Sequence, residues 1–159
     1  MRRWLKLIAA SLLAVAATVH ADNNHAPYVI YETKGKYADV LDELNQAIIN
    51  RGLVVGTTSH VQEMLARTGK DLGGGSLLYE NGDVLQFCSA VLSRKAMEAD
   101  RRNIIFCPYG IAVWTEAGKP ERVFVGYRRP EAPSSPRSAA ALKDVEKLLD
   151  DIVREAIGR

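Results

Sequence analysis

FCSAVLSRKAMEADRRNIIFCPYGIAVWTEAGKPERVFVGYRRP, residues 87–130, is the stretch that decides the fold. Two runs in it are rich in β-branched and aromatic residues, Gly110 to Thr115 and Arg122 to Tyr127, and they are the best strand candidates in the chain. Glu116-Ala117-Gly118-Lys119-Pro120-Glu121 joins them as a hairpin loop slightly longer than the tightest turns. Upstream, Val84 to Phe87 leads as a strand into Cys88. Ser89 is a helix cap, and Leu92, Ala96 and Ala99 share one face of a helix from about Ala90 to Ala99. Asn103 to Phe106 is expected to return toward the sheet, and Pro108 interrupts any regular central ladder at that point.

Outward toward the N-terminus, Tyr28 to Thr33 is a strand. Tyr37, Val40, Leu41, Leu44 and Ile48 then recur at helical spacing, with Gly52 as the stop. Leu53 to Thr57 is a second short strand. Ser59 and Gln62 have capping-box spacing before a helix whose apolar face is Val61, Met64 and Leu65 and whose end is Gly69. Lys70 to Ser76 is glycine-rich but lacks the phosphate-loop spacing, so it reads as a connection. Leu77 to Tyr79 is a short strand candidate and Asn81-Gly82 a turn signal.

Toward the C-terminus, Glu131 to Pro136 is a Pro/Ser-rich connector. Leu142, Val145, Leu148, Leu149, Ile152, Val153 and Ala156 then form one apolar helical stripe, with charged residues over the rest. Such a stripe packs on its own domain or docks on another subunit. Helices mixed with strands and a late hairpin predict an α+β fold: a two-layer sandwich of a small mixed β-sheet and helices, with an amphipathic C-terminal helix. The expected organisation is a leader at 1–21, a flexible segment at 22–27, a domain at 28–130, a linker at 131–137 and the final helix at 138–158.

The leader changes the charge argument. Arg2, Arg3 and Lys6 precede an apolar run from Leu7 to Val19, and Val19-His20-Ala21 resembles a signal-peptidase site, so a secretory signal peptide cleaved after Ala21 is expected. The run is short for a bilayer span, which needs roughly 20 residues. No stable membrane anchor is therefore expected after cleavage. The formal net charge is +2, from 21 basic and 19 acidic residues. Cleavage removes three basic residues and no acidic one, leaving a net of about −1. No global charge argument for nucleic acid remains. The bacterial look of the signal places the chain in the periplasm.

Export puts Cys88 and Cys107 in an oxidising compartment, where pairing is common and two cysteines allow one intramolecular connectivity. Cys88 lies at or just before a helix N-terminus, where the free amides are expected to lower its pKa. Several readings stay open: a structural disulfide; thiol redox chemistry, without the Cys-x-x-Cys spacing; a soft-metal or haem site taking Cu(I), with Met97 or His60 as a further ligand; or two inert thiols. No cofactor is predicted. His60, at a helix start, reads as a surface residue, and no Ser–His–Asp pattern is apparent. Arg94, Arg101, Arg102, Arg128 and Arg129 are a weak anion-binding set, with scattered exposed charge as the simpler reading. Trp114 and Tyr127 read as core or cross-strand pairs.

Phe87-Cys88-Ser89-Ala90, Asn103-Ile104-Ile105-Phe106-Cys107-Pro108-Tyr109 and Val125-Gly126-Tyr127-Arg128-Arg129-Pro130, together with Met64-Leu65-Ala66-Arg67-Thr68-Gly69, resemble the domain-of-unknown-function 302 family. They look like an exported, cysteine-containing branch of it. The resemblance runs from about Tyr28 to Pro130 and continues into the final helix. It implies a small α+β sandwich that pairs as a homodimer, and it carries no catalytic roles. The expectation from sequence is a non-enzymatic periplasmic module that binds a small ligand or a protein partner, with Cys88 and Cys107 joined. The alternative is a thiol-dependent redox or soft-metal or haem-handling protein using the same two cysteines.

Overall fold

The computed structural model describes residues 26–69, 71–74, 76–131 and 134–159. The expected signal peptide, its cleavage point and His25 lie outside the described residues. Among the described residues, no helix is long and apolar enough to cross a membrane.

The hairpin read from the opening stretch is the centre of the sheet. Strand β4 (Tyr109–Glu116) pairs antiparallel with β5 (Arg122–Arg128), with Trp114 opposite Phe124 and Val113 opposite Val125. Gly118, at φ +75°, takes the left-handed conformation that the connecting loop requires. β1 (Tyr28–Lys34) adds to the outer side of β5, while β3 (Tyr79–Phe87) and then β2 (Val55–His60) add to the other side of β4. The order is β1-β5-β4-β3-β2, so the first two strands in sequence are the two edges. The two-layer α+β architecture stands as expected. The sheet differs in one respect: every pairing is antiparallel, so it is not mixed.

Strand alternation sends Leu85, Phe87, Tyr109, Ile111, Val113, Val123, Val125 and Tyr127 to one face. Two helices cover that face: α1 (Tyr37–Ile49), through Val40, Leu44 and Ile48, and α4 (Pro136–Ala156), through Val145, Leu149, Ile152 and Val153. Ser135 caps α4 by accepting from the Ser138 amide at 3.1 Å. Each fully buried Val, Leu or Ile contributes about 1.5–3 kcal/mol, so the C-terminal stripe is spent on its own domain. α3 (Ala90–Ala99) packs on α4 in a smaller cluster of Ala96, Ala141 and Leu142. Buried Asn103 locks this corner by donating to the Ala96 carbonyl at 2.8 Å and to Ser138 Oγ at 2.9 Å.

Two local expectations are corrected. Leu77 to Tyr79 and the Asn81-Gly82 turn are replaced by one long strand, β3, with a register shift between Tyr79 and Asn81. Asn81 sits within this strand and donates to Thr115 Oγ1 at 3.1 Å. The strand after Gly52 begins at Val55 and runs through Ser59 to His60, so α2 (Val61–Gly69) starts only after them. The expected return toward the sheet from Asn103 to Phe106 is made by a 3-10 turn over Arg101–Phe106, which Asp100 caps by accepting from the Arg102 amide.

Candidate functional site: paired thiols and an uncovered sheet face

Phe87 ends β3 opposite Tyr109, the first residue of β4. The chain leaves the sheet at Cys88, forms α3 and the 3-10 turn, and re-enters at Cys107-Pro108, whose peptide bond is cis. Cys88 follows the last residue of β3 and Cys107 lies two residues before β4, which brings Cys88 Sγ to 2.7 Å from Cys107 Sγ. Cys88 is exposed and Cys107 half-buried.

Ser89 accepts from the Leu92 amide at 3.3 Å, which places Cys88 one residue before the helix cap. The expected lowering of its pKa is not what the surroundings produce. Burial, followed by the adjacent Cys107 thiol, pushes the Cys88 thiol up to about 11. Ser89 engages the Leu92 amide of the first turn, and the backbone hydrogen bond from Tyr109, which favours a Cys88 thiolate, is outweighed by burial. On the inner side, Ser93 Oγ lies 3.8 Å from Cys107 Sγ and 2.9 Å from the buried Tyr109 hydroxyl. This hydroxyl pair is the site's main surprise. Ser93 and Tyr109 carry no motif, and only folding brings them to the thiol.

Residues that might complete a soft-ion site are elsewhere. His60 pairs with Asp83, five residues before Cys88, or about 17 Å along an extended strand. Met97 lines a depression on the outer side of α3. Among the described residues, no three His, Cys, Asp or Glu side chains gather as a metal site. The five arginines divide. Arg94 and Arg101 line the depression that holds Met97, and Arg94 also pairs with Glu98 at 2.8 Å. Arg102 pairs with Asp100 at 2.8 Å. Arg128 and Arg129 line a separate cavity of about 230 Å³ beside Phe106 and Pro108, and Arg129 also pairs with Glu146.

His60 is more than a surface residue. Its Nδ1 lies 2.8 Å from Asp83 Oδ1, and Tyr37 donates to Asp83 Oδ2 at 2.7 Å. The hydrogen bond to the Asp83 carboxylate raises the His60 pKa. The three residues are far apart in sequence, and no spacing announces them.

The second feature is the sheet face opposite α1 and α4. It carries three cross-strand rows: Gln86, Gly110, Arg128 and Tyr28; Val84, Ala112, Gly126 and Ile30; Gly82, Trp114, Phe124 and Glu32. Its centre is apolar and made of small residues. Trp114 stacks on Phe124 with centroids 5.4 Å apart, while Tyr28 and Ile30 at the rim are about half exposed. A shallow trough of about 340 Å³ runs over Ile30, Val84, Ala112 and Trp114. α2 edges this face, with Gln62 against Gly82. The signal for it was in β4, where Ile111 to Trp114 is apolar at consecutive positions and so cannot hide every side chain on one face.

Comparison with known proteins gives a consistent picture. Residues 29–156 match the family model described as "Domain of unknown function DUF302". Among solved structures, an uncharacterized conserved DUF302 protein from Bacillus stearothermophilus is similar, at 15% identity and a TM-score of 0.66, over 82% of this chain and 98% of that one. At that identity the likeness concerns the fold. No curated protein matched.

Proposed function

The chain belongs to the DUF302 family, a domain of unknown function, and from that premise we propose that it is an exported, non-enzymatic binding module of the periplasm, a cysteine-containing member whose Cys88 and Cys107 close as a disulfide. The observation that carries the binding role is the apolar sheet face of Ile30, Val84, Ala112, Trp114 and Phe124, over which no helix among the described residues packs beyond the edge held by α2. A contiguous apolar surface of this kind marks an interaction site. It is shallow and open across four strands, whereas small-ligand sites bury most of their ligand in a concave pocket. A flat surface suits a protein, and the occupant we assign is a second copy of this chain. Self-association through a single two-fold patch is the commonest oligomer geometry. The disulfide reading rests on the 2.7 Å approach of the two sulfurs at the mouth of the 89–106 excursion.

Sedimentation equilibrium of the mature protein tests the binding role. Wild type is a dimer, and Ile30→Glu and Trp114→Glu are folded monomers by circular dichroism. A monomeric wild type, or variants that stay dimeric, would remove the sheet face as the self-association surface. Binding of a small apolar probe to a monomeric wild type would move the assignment to a small ligand. Intact mass of periplasmic protein checks export. The expected mass is that of a chain starting at Asp22, less two hydrogens.

A further inference from the structure

We propose that Cys88 and Cys107 form an exchangeable disulfide with fixed polarity: an incoming thiolate from a dithiol protein attacks Cys88, and Cys107 is the leaving sulfur. The inference rests on the disulfide reading above and adds a reaction and a partner class to it.

Three observations carry it. Access is unequal, because Cys88 is exposed and Cys107 half-buried, so an approaching sulfur meets Cys88 first. Stabilisation is unequal in the opposite sense. Ser93 Oγ, 3.8 Å from Cys107 Sγ, is backed by the Tyr109 hydroxyl at 2.9 Å. With Tyr109 donating to Ser93 and Ser93 donating to sulfur, charge developing on Cys107 meets a hydroxyl donor, and a better-stabilised thiolate leaves faster. Finally, the segments flanking the pair expose apolar side chains. Val91, on the first turn of α3, is 76% exposed. Ile104 and Ile105, on the turn before Cys107, are 62% and 80% exposed. They give a protein partner an apolar collar to dock against.

The step balances. The partner thiolate bonds to Cys88 Sγ as the Cys88–Cys107 bond breaks, and the electron pair passes to Cys107, which takes a proton. The partner's second thiolate then attacks its own sulfur in the mixed disulfide. Cys88 departs with the second electron pair and takes the second proton. The partner leaves as a disulfide and the pair as a dithiol, with two electrons and two protons transferred. The reverse sequence oxidises the pair.

The test uses the mature oxidised protein and, as probe, a thioredoxin variant that keeps only its attacking cysteine. The expected result is a mixed disulfide whose peptide map places the link on Cys88, at least about tenfold over Cys107. Ile104→Asp/Ile105→Asp slows this reaction about tenfold while leaving reduction by dithiothreitol within about twofold. Ser93→Ala slows both about fivefold. Linkage on Cys107 would overturn the polarity, and equal slowing of both reductants by the double substitution would overturn the collar. An intact disulfide that resists both reductants until the protein unfolds would overturn exchange and leave a structural bond. Two freely alkylated thiols in the oxidised protein would overturn the disulfide reading itself.

Discussion

Tyr31 donates a hydrogen bond of 2.5 Å to Asp150 Oδ1, joining the edge strand β1 to helix α4 across 119 residues of sequence. Tyr127 donates to the same oxygen at 3.1 Å, and Arg154 holds the other oxygen at 2.6 Å while reaching the Tyr31 hydroxyl at 2.8 Å. Burial alone would push the Asp150 carboxyl up, but the hydrogen bonds from Tyr31, Arg154 and Tyr127 outweigh it and hold the group below its ordinary value. A depressed carboxylate contributes stability that is present above its unfolded pKa of about 3.9 and is lost as pH falls through the folded value. Tyr31→Phe is expected to lower unfolding free energy by about 1–2 kcal/mol at pH 7, with the gap to wild type narrowing in acid. Urea titrations at pH 7 and below pH 4 measure both. A constant gap would mean that the carboxylate is not what Tyr31 serves.

Gly126 is fixed by close approach. A β-carbon there would lie 2.6 Å from the Val29 carbonyl oxygen and 3.0 Å from Ile30 Cγ1, so β1 would have to move away from β5. Gly126→Ala should cost about 1–3 kcal/mol and increase hydrogen exchange at β1 amides. Gly110, on the same face, has only Val84 Cγ1 at 3.5 Å, and Gly110→Ala should change stability by no more than about 0.5 kcal/mol.

His60 and Asp83 set a pH dependence of opposite sign to that of Asp150. The hydrogen bond and charge of Asp83 raise the His60 pKa above its ordinary value. A raised histidine contributes stability that is fully present below its unfolded pKa of about 6.5 and is lost as pH rises through the folded value. Wild type should lose thermal stability relative to His60→Asn as pH rises above about 6.5 through the folded pKa, with the difference flat below that. The NMR titration of His60 gives the folded pKa directly, and a value at or below 6.5 would contradict the pairing.

A bonded Cys88–Cys107 pair predicts equal losses from Cys88→Ser and Cys107→Ser. Closing a loop of about 20 residues is worth roughly 3 kcal/mol, and breaking the bond from either side removes it. Denaturant midpoints of the two variants and of the reduced wild type should coincide. A loss confined to Cys107→Ser would point to packing around the half-buried sulfur instead.

Regular elements were legible where one periodicity dominated. The C-terminal stripe, the α3 cap at Ser89 and the β4–β5 hairpin each follow from neighbours in sequence, and the structure has them nearly where the spacing puts them. Asn81-Gly82 failed because turn chemistry is a local preference, and pairing with Thr115 and Trp114 of β4 overrode it. The Cys88 thiol was misjudged for a related reason. Burial and the adjacent Cys107 thiol, contacts that only the folded chain makes, outweigh the helix terminus that the sequence announces.

By itself, the sequence determined the class of fold, the helix and hairpin that frame the sheet, and the two cysteines as a pair to be examined. These depend on short-range patterns of burial and backbone preference. Tertiary structure alone decided that β1 and β2 are opposite edges and that Ser93 and Tyr109 stand behind Cys107. It alone also left a face of small and aromatic residues that, among the described residues, α1 and α4 do not cover. Those relationships join residues from separate elements. Their energies come from packing and hydrogen bonds that exist only after the chain has closed on itself.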